Sequence, residues 1–190
     1  MTQTDAATTL QSRFGADAVS VTEVRGETTV RVPKSALADV LKATRDDLAF
    51  DMLIDVSTID HLGQDPRFEV AYELYSTTYN VYLRVKSSTG EDEADFPSAA
   101  AIWPAANWHE REAYDMMGVR FTGHPDLRRI LMWEGYPYFP LRKEFPLAGK
   151  DSDLPEVAFS KPAPLQGGPF VTAPGAGDTV EREPRARGLE

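Results

Sequence analysis

Residues 68–85 read FEVAYELYSTTYNVYLRV. Phe68, Val70, Tyr72 and Leu74 fall on every second position, and so do Tyr79, Val81, Leu83 and Val85. Period two puts each set on one face of an extended strand, and the Ser76–Thr78 stretch joins the two strands as a hairpin. Just upstream, Phe50, Met52, Ile54 and Val56 repeat the same spacing and read as a third strand with those four side chains on one face.

Further upstream the period changes. Leu37, Val40, Leu41, Thr44 and Leu48 stand at helical spacing, giving one buried stripe. Pro33 suits the first turn of that helix, because its missing N–H has no partner to lose there. Val19 and Val21, then Val30 and Val32, alternate on either side of a turn at Arg25-Gly26-Glu27. The order ββαβββ predicts an α+β fold, a mostly antiparallel sheet with one face covered by the helix.

Downstream, Glu91–Asp95 is an acidic loop, and Pro97-Ser98 cap a short helix over Ala99–Trp103. Pro104 opens a second helix over Ala105–Met117, which Gly118 ends. From Arg120 onward Gly and Pro break the periodicity, although Leu, Ile, Trp, Tyr and Phe remain frequent. Such a segment must bury its side chains against something. The expected organisation is a single α+β domain over 1–147, with an extended docking segment at 118–147. Residues 148–190 hold six prolines and six glycines, the composition of a tail that is disordered when alone.

The 190 residues suffice for one domain with a real core. The chain has no cysteine, which removes disulfides, thiolate chemistry and cysteine-ligated clusters. Its net charge is −10 and no region is basic, so nucleic acid is not an expected partner. Residues 104–147 balance 6 acids against 6 bases and read as internally paired. MTQTDAATTL lacks the features of a signal or transit peptide, and the longest run of small or apolar residues, Ala99–Ala106, is far too short to span a bilayer. The reading is a chain with no membrane span of its own.

The densest chemistry lies in NWHEREAYDMMGVRFTGHPDLRRIL, residues 107–131. On a helical wheel, Ala105, Ala106, Trp108, Ala113, Met116 and Met117 share one arc, with Glu112 and His109 inside it. A carboxylate in an apolar arc needs a cation, so Glu112 is expected to pair with Arg128 or Arg129 as the downstream segment folds back. Arg111 and Asp115, four apart, can pair within the helix. Catalytic readings fare worse. His109-Glu110 begins an HExxH pattern, but Ala113 stands where the second histidine should be. Glu110 and Glu112, two apart, point to different faces. His124, in Gly-His-Pro, reads as a turn-fixing ring. Trp103, Trp108, Trp133, Tyr136, Tyr138 and Phe139 could line a pocket or anchor an interface, and the interface reading fits better because no activated nucleophile or metal set accompanies them.

Glu110-Arg111-Glu112, Asp115, Met116-Met117, His124, Arg128 and Ile130-Leu131, at these spacings, resemble the hallmark of the C-subunit family of proton-translocating NADH:quinone oxidoreductase, respiratory complex I. Pro140-Leu141-Arg142-Lys143-Glu144-Phe145-Pro146 is similar to that family's Pro-Leu-Arg-Lys-acid-aromatic-Pro segment, with Glu144 where Asp is usual and Tyr138-Phe139 as an extra pair before it. The resemblance implies a non-catalytic scaffold in the peripheral arm, on the cytoplasmic side of the bacterial inner membrane. It implies no cofactor in this chain, with FMN and iron–sulfur clusters in partner subunits. It implies packing chiefly on the D subunit and near the B and I subunits, in an assembly that moves electrons from NADH to quinone and pumps protons. Trp108, Glu110, Arg111, Glu112, Asp115, His124, Arg128, Arg129, Arg142 and Lys143 are the residues expected to form its structural ion pairs and intersubunit surface. A homologous component of a membrane-bound hydrogenase or related dehydrogenase complex, and an independent hydrolase using His109 and His124, are the competing readings.

Overall fold

A computed structural model describes residues 1–147. The expected tail, 148–190, lies outside the described residues. The chain divides into two compact units after Glu134, so the segment expected at 118–147 is split between them.

The first unit begins with a helix that apolar periodicity does not announce, α1 (Gln3–Phe14). Thr2 and Asp5 close a reciprocal capping box at its start, and Ala6, Ala7 and Leu10 are buried. Strands β1 (Ser20–Val24) and β2 (Glu27–Arg31) follow. Arg25 and Gly26 both take positive φ between them, the backbone a two-residue hairpin loop needs. Helix α2 (Lys34–Asp46) buries Leu37, Val40, Leu41 and Thr44, the stripe the spacing predicts.

Strands β3 (Met52–Asp60), β4 (Phe68–Ser76) and β5 (Val81–Thr89) complete a five-stranded sheet in the order β1-β2-β5-β4-β3. All pairings are antiparallel except β2 with β5, where Arg31 lies opposite Lys86. Phe68, Val70, Tyr72 and Leu74 of β4 and Leu83 and Val85 of β5 face one core. That core receives α1, α2 and a third helix, so three helices contribute to it where one was expected. The other side of the sheet carries a charge lattice: Glu69 pairs with Lys86 (2.7 Å) and Arg31, and Arg84 pairs with Glu73 and Glu27.

Three local expectations need correction. Tyr79 falls in the turn before β5 and is exposed, so it does not share the buried face of Leu83 and Val85. In β3 the register shifts between Leu53 and Asp55, so Leu53 and Val56 are buried while Met52 and Ile54 are exposed. A bulge inserts one residue and breaks strict alternation, so Phe50, Met52, Ile54 and Val56 do not share a face. Residues Ala99–Trp103 form a single turn, with Ile102 and Trp103 both donating to the Ala99 carbonyl, and not a helix. Just before it, β6 (Asp95–Pro97) pairs in parallel with β7 (Arg120–Thr122). Between them runs α3 (Ala106–Met117), ended by Gly118 in the left-handed conformation.

The second unit begins at Gly135. Its described part is irregular and built on aromatic contacts: Tyr138 lies 5.7 Å from Tyr136 and 6.0 Å from Phe145, centroid to centroid. The Arg142 guanidinium stacks over Phe139 at 4.6 Å and lies 3.8 Å from Glu144.

Candidate interaction surface around helix α3

Ala106, Ala113 and Met116 give α3 its apolar contact with the core, but Glu110, Arg111 and Asp115 are buried as well. Trp108 and Glu112 are the two exposed positions of this helix. A wheel with one apolar arc puts Trp108 and Glu112 inside and Glu110, Arg111 and Asp115 outside. It assumes one contact face, whereas α3 is covered on two sides, by the core and by residues 124–132. The second covering is polar backbone, and it attracts charged side chains rather than apolar ones.

Asp115 carries the pairing expected of Glu112. Its carboxylate accepts from Arg129 Nη1 at 2.6 Å and from the successive amides of Ile130, Leu131 and Met132 at 2.9, 2.6 and 2.8 Å. Burial alone would raise the Asp115 carboxyl; the Met132 amide, the Arg129 guanidinium and the amides of Ile130 and Leu131 outweigh it and hold the group below its usual value. Arg111 does not pair with Asp115. It donates Nε and Nη2 to the carbonyls of Arg128 and Arg129, each at 3.1 Å, and its guanidinium lies 5.3 Å from the Trp108 ring. Arg128 turns outward to Asp126 at 2.9 Å. The downstream segment does fold back on α3, as expected, but onto Asp115 and Arg111.

Glu110 forms the inner half of the site. It is 0% exposed, and its carboxylate accepts from Ser98 Oγ and the Ala99 amide, both at 2.6 Å. Burial raises its pKa to about 7, against the lowering effect of those two hydrogen bonds. His124 Nε2 lies 3.9 Å from Glu110. The ring does not neutralise the carboxylate, because Nδ1 accepts from the Asp126 amide (3.0 Å), which leaves the ring proton on Nε2, donated to the Asn107 carbonyl (3.1 Å). His124 therefore fixes the turn after β7 against α3. The Tyr72 hydroxyl is buried with no hydrogen-bond partner among the described residues, and burial together with the Glu110 charge raises its pKa well above the ordinary value.

The histidines do not converge on a common group. His109 Nδ1 is 3.1 Å from Asp55, His61 is 3.9 Å from Glu69, and His124 belongs to the Glu110 cluster. Among the described residues no three His, Asp or Glu side chains are placed to hold a metal ion, and no helix is long and apolar enough to cross a membrane. Among the described residues, His109 and His124, which the hydrolase reading needs together, face different carboxylates. Arg142 and Lys143 lie in the second unit, where Arg142 is partnered by Phe139 and Glu144. Burial of Glu110 and Asp115 is the feature that the wheel does not deliver. For Asp115 the signal is the Gly- and Pro-broken segment at 118–132, whose backbone groups need partners.

Known proteins share this sequence and fold. The family profile described as respiratory-chain NADH dehydrogenase, 30 Kd subunit, matches residues 30–151. The C subunit of NADH-quinone oxidoreductase from Citrifermentans bemidjiense is 47% identical over 144 residues, covering 76% of this chain and 89% of that one. The corresponding C 2 subunit from Rhizobium etli is 40% identical over 159 residues, covering 83% and 84%. The solved trypsin-resistant fragment of Nqo5 superimposes with a TM-score of 0.59 at 26% identity, covering 67% of this chain and all of that one. A chain of an archaeal membrane-bound sulfane sulfur reductase gives 0.65 at 21% identity, over 76% and 85%, and shares the fold. The chain belongs to the family of the 30 Kd subunit of respiratory-chain NADH dehydrogenase, that of the C subunit of NADH-quinone oxidoreductase.

Proposed function

We propose that this chain is a non-catalytic scaffold of the peripheral arm of NADH:quinone oxidoreductase, on the cytoplasmic side of the membrane. It holds neighbouring subunits, chiefly the D subunit and also the B and I subunits, while FMN and the iron–sulfur clusters reside in partners. The observation that carries this reading is the use made of the charged residues on α3. Asp115 and Arg111 spend their hydrogen bonds on the backbone of residues 128–132, and Glu110 spends its own on Ser98 and Ala99. Groups so saturated stiffen a surface and leave no acid or base poised toward a substrate. Relatives at 40–47% identity bear the name of the C subunit of NADH-quinone oxidoreductase, which favours this assembly over a hydrogenase-type one.

The test is to isolate the full chain and the assembled complex in parallel. The chain alone is expected to oxidise no NADH and to contain neither flavin nor iron. Tagged in its own cells, it is expected to recover the D, B and I subunits. Bound flavin or iron in the isolated chain, or recovery of none of these partners, would overturn the reading.

A further inference from the structure

The two exposed residues of α3 stand four apart, on one helical face. Trp108 is 61% exposed. The Arg111 guanidinium lies 5.3 Å from its ring and is itself pinned to the carbonyls of Arg128 and Arg129. Leu131, also 61% exposed, is displayed by a loop whose amides are fixed to Asp115. An exposed aromatic side chain on a fixed backbone offers a large apolar area at a low ordering cost, which suits an interface anchor.

Glu112 sets the chemistry of the occupant. Among the described residues its surroundings supply no cation: Arg111 is committed to carbonyls, Arg128 to Asp126 and Arg129 to Asp115, while His109 faces Asp55. A second copy of this chain is a poor match, because each copy carries a net charge of −10 and would repel the other. We propose that Trp108 and Glu112 form an anchor for a different chain, which receives the Trp108 ring in an apolar socket and meets Glu112 with an Arg or Lys at the rim. This rests on the scaffold reading above and assigns that role to one surface and one partner chemistry.

The experiment captures the full-length tagged chain from its own cells, in place of the native copy, and quantifies the co-purifying oxidoreductase components by mass spectrometry. Trp108→Ala and Glu112→Arg are expected to lower recovery at least about tenfold, a modest value for a central aromatic anchor. Trp108→Phe should retain most of it. Glu112→Gln should flatten the fall in recovery as salt is raised. Tyr82→Ser, on the open face of the sheet, is the control and should recover partners as wild type does. Melting of each purified variant at the wild-type temperature shows that folding is not the cause. If Trp108→Ala and Glu112→Arg both recover partners within about twofold of wild type, the surface assignment is wrong while the scaffold reading stands. If the isolated chain sediments as a dimer that Trp108→Ala dissociates, the occupant is a second copy and the proposal is wrong. If wild type recovers no oxidoreductase component, both readings fall together.

Discussion

Replacing Glu110 with glutamine tests whether this carboxyl is buried without a counter-ion. Its folded pKa of about 7 stands above the ordinary value of 4.5, chiefly because burial penalises the charged form. The folded chain therefore binds more protons than the unfolded chain between those values, and stability falls as pH rises through that window. A shift of that size corresponds to roughly 3 kcal/mol, of which about 2 kcal/mol is lost between about pH 5.5 and about pH 8.5. Glu110→Gln imitates the protonated acid and removes this slope. Urea unfolding of the full-length chain at several pH values should show the variant gaining on wild type by about 2 kcal/mol across that range. Asp115 and Glu69, both held low, shift the other way, and their contributions are complete at lower pH. A difference between variant and wild type that stays constant across the range would refute the claim that Glu110 titrates, uncompensated, inside the fold.

Asp115→Ala leaves Arg129, with only 10% of its side chain exposed, beside a lost carboxylate; it should cost about 3–5 kcal/mol and accelerate hydrogen exchange at Ile130, Leu131 and Met132. Glu112→Ala, at an exposed position without a cation, should change the stability of the isolated chain by less than about 0.5 kcal/mol in the same urea assay, and a loss of several kcal/mol would restore the buried pairing expected from the wheel. Gly118 ends α3 with φ at 74°, so Gly118→Ala should cost about 1 kcal/mol in thermal or urea unfolding.

The sheet is legible because its apolar residues keep period two in β4 and β5 and period 3.6 in α2. The inward face of β3 is not, since the register shift after Leu53 cannot be seen in the alternation of the sequence. Helix α1 escapes notice for a different reason: its buried side chains are two alanines and one leucine, and its clearest signal is the Thr2–Asp5 capping box. The site is half legible. The fold-back of residues 128–132 follows from the need to neutralise a buried carboxylate, and that need is real. It belongs to Asp115 because α3 buries two sides, and a single apolar arc on a wheel assigns the exposed position to the wrong charges. The complex I resemblance is legible in the motif because the same charged residues that organise this packing compose it.

The central claim is that the charges of α3 build a docking surface and not a reaction centre. The most direct measurement quantifies the peripheral-arm subunits, together with NADH:quinone turnover, in membranes of cells lacking this chain. The account predicts that the D subunit and its neighbours fail to accumulate on the membrane and that turnover falls in proportion. An arm assembled in normal amounts with turnover abolished would contradict it, because the missing chain would then have supplied chemistry and not attachment.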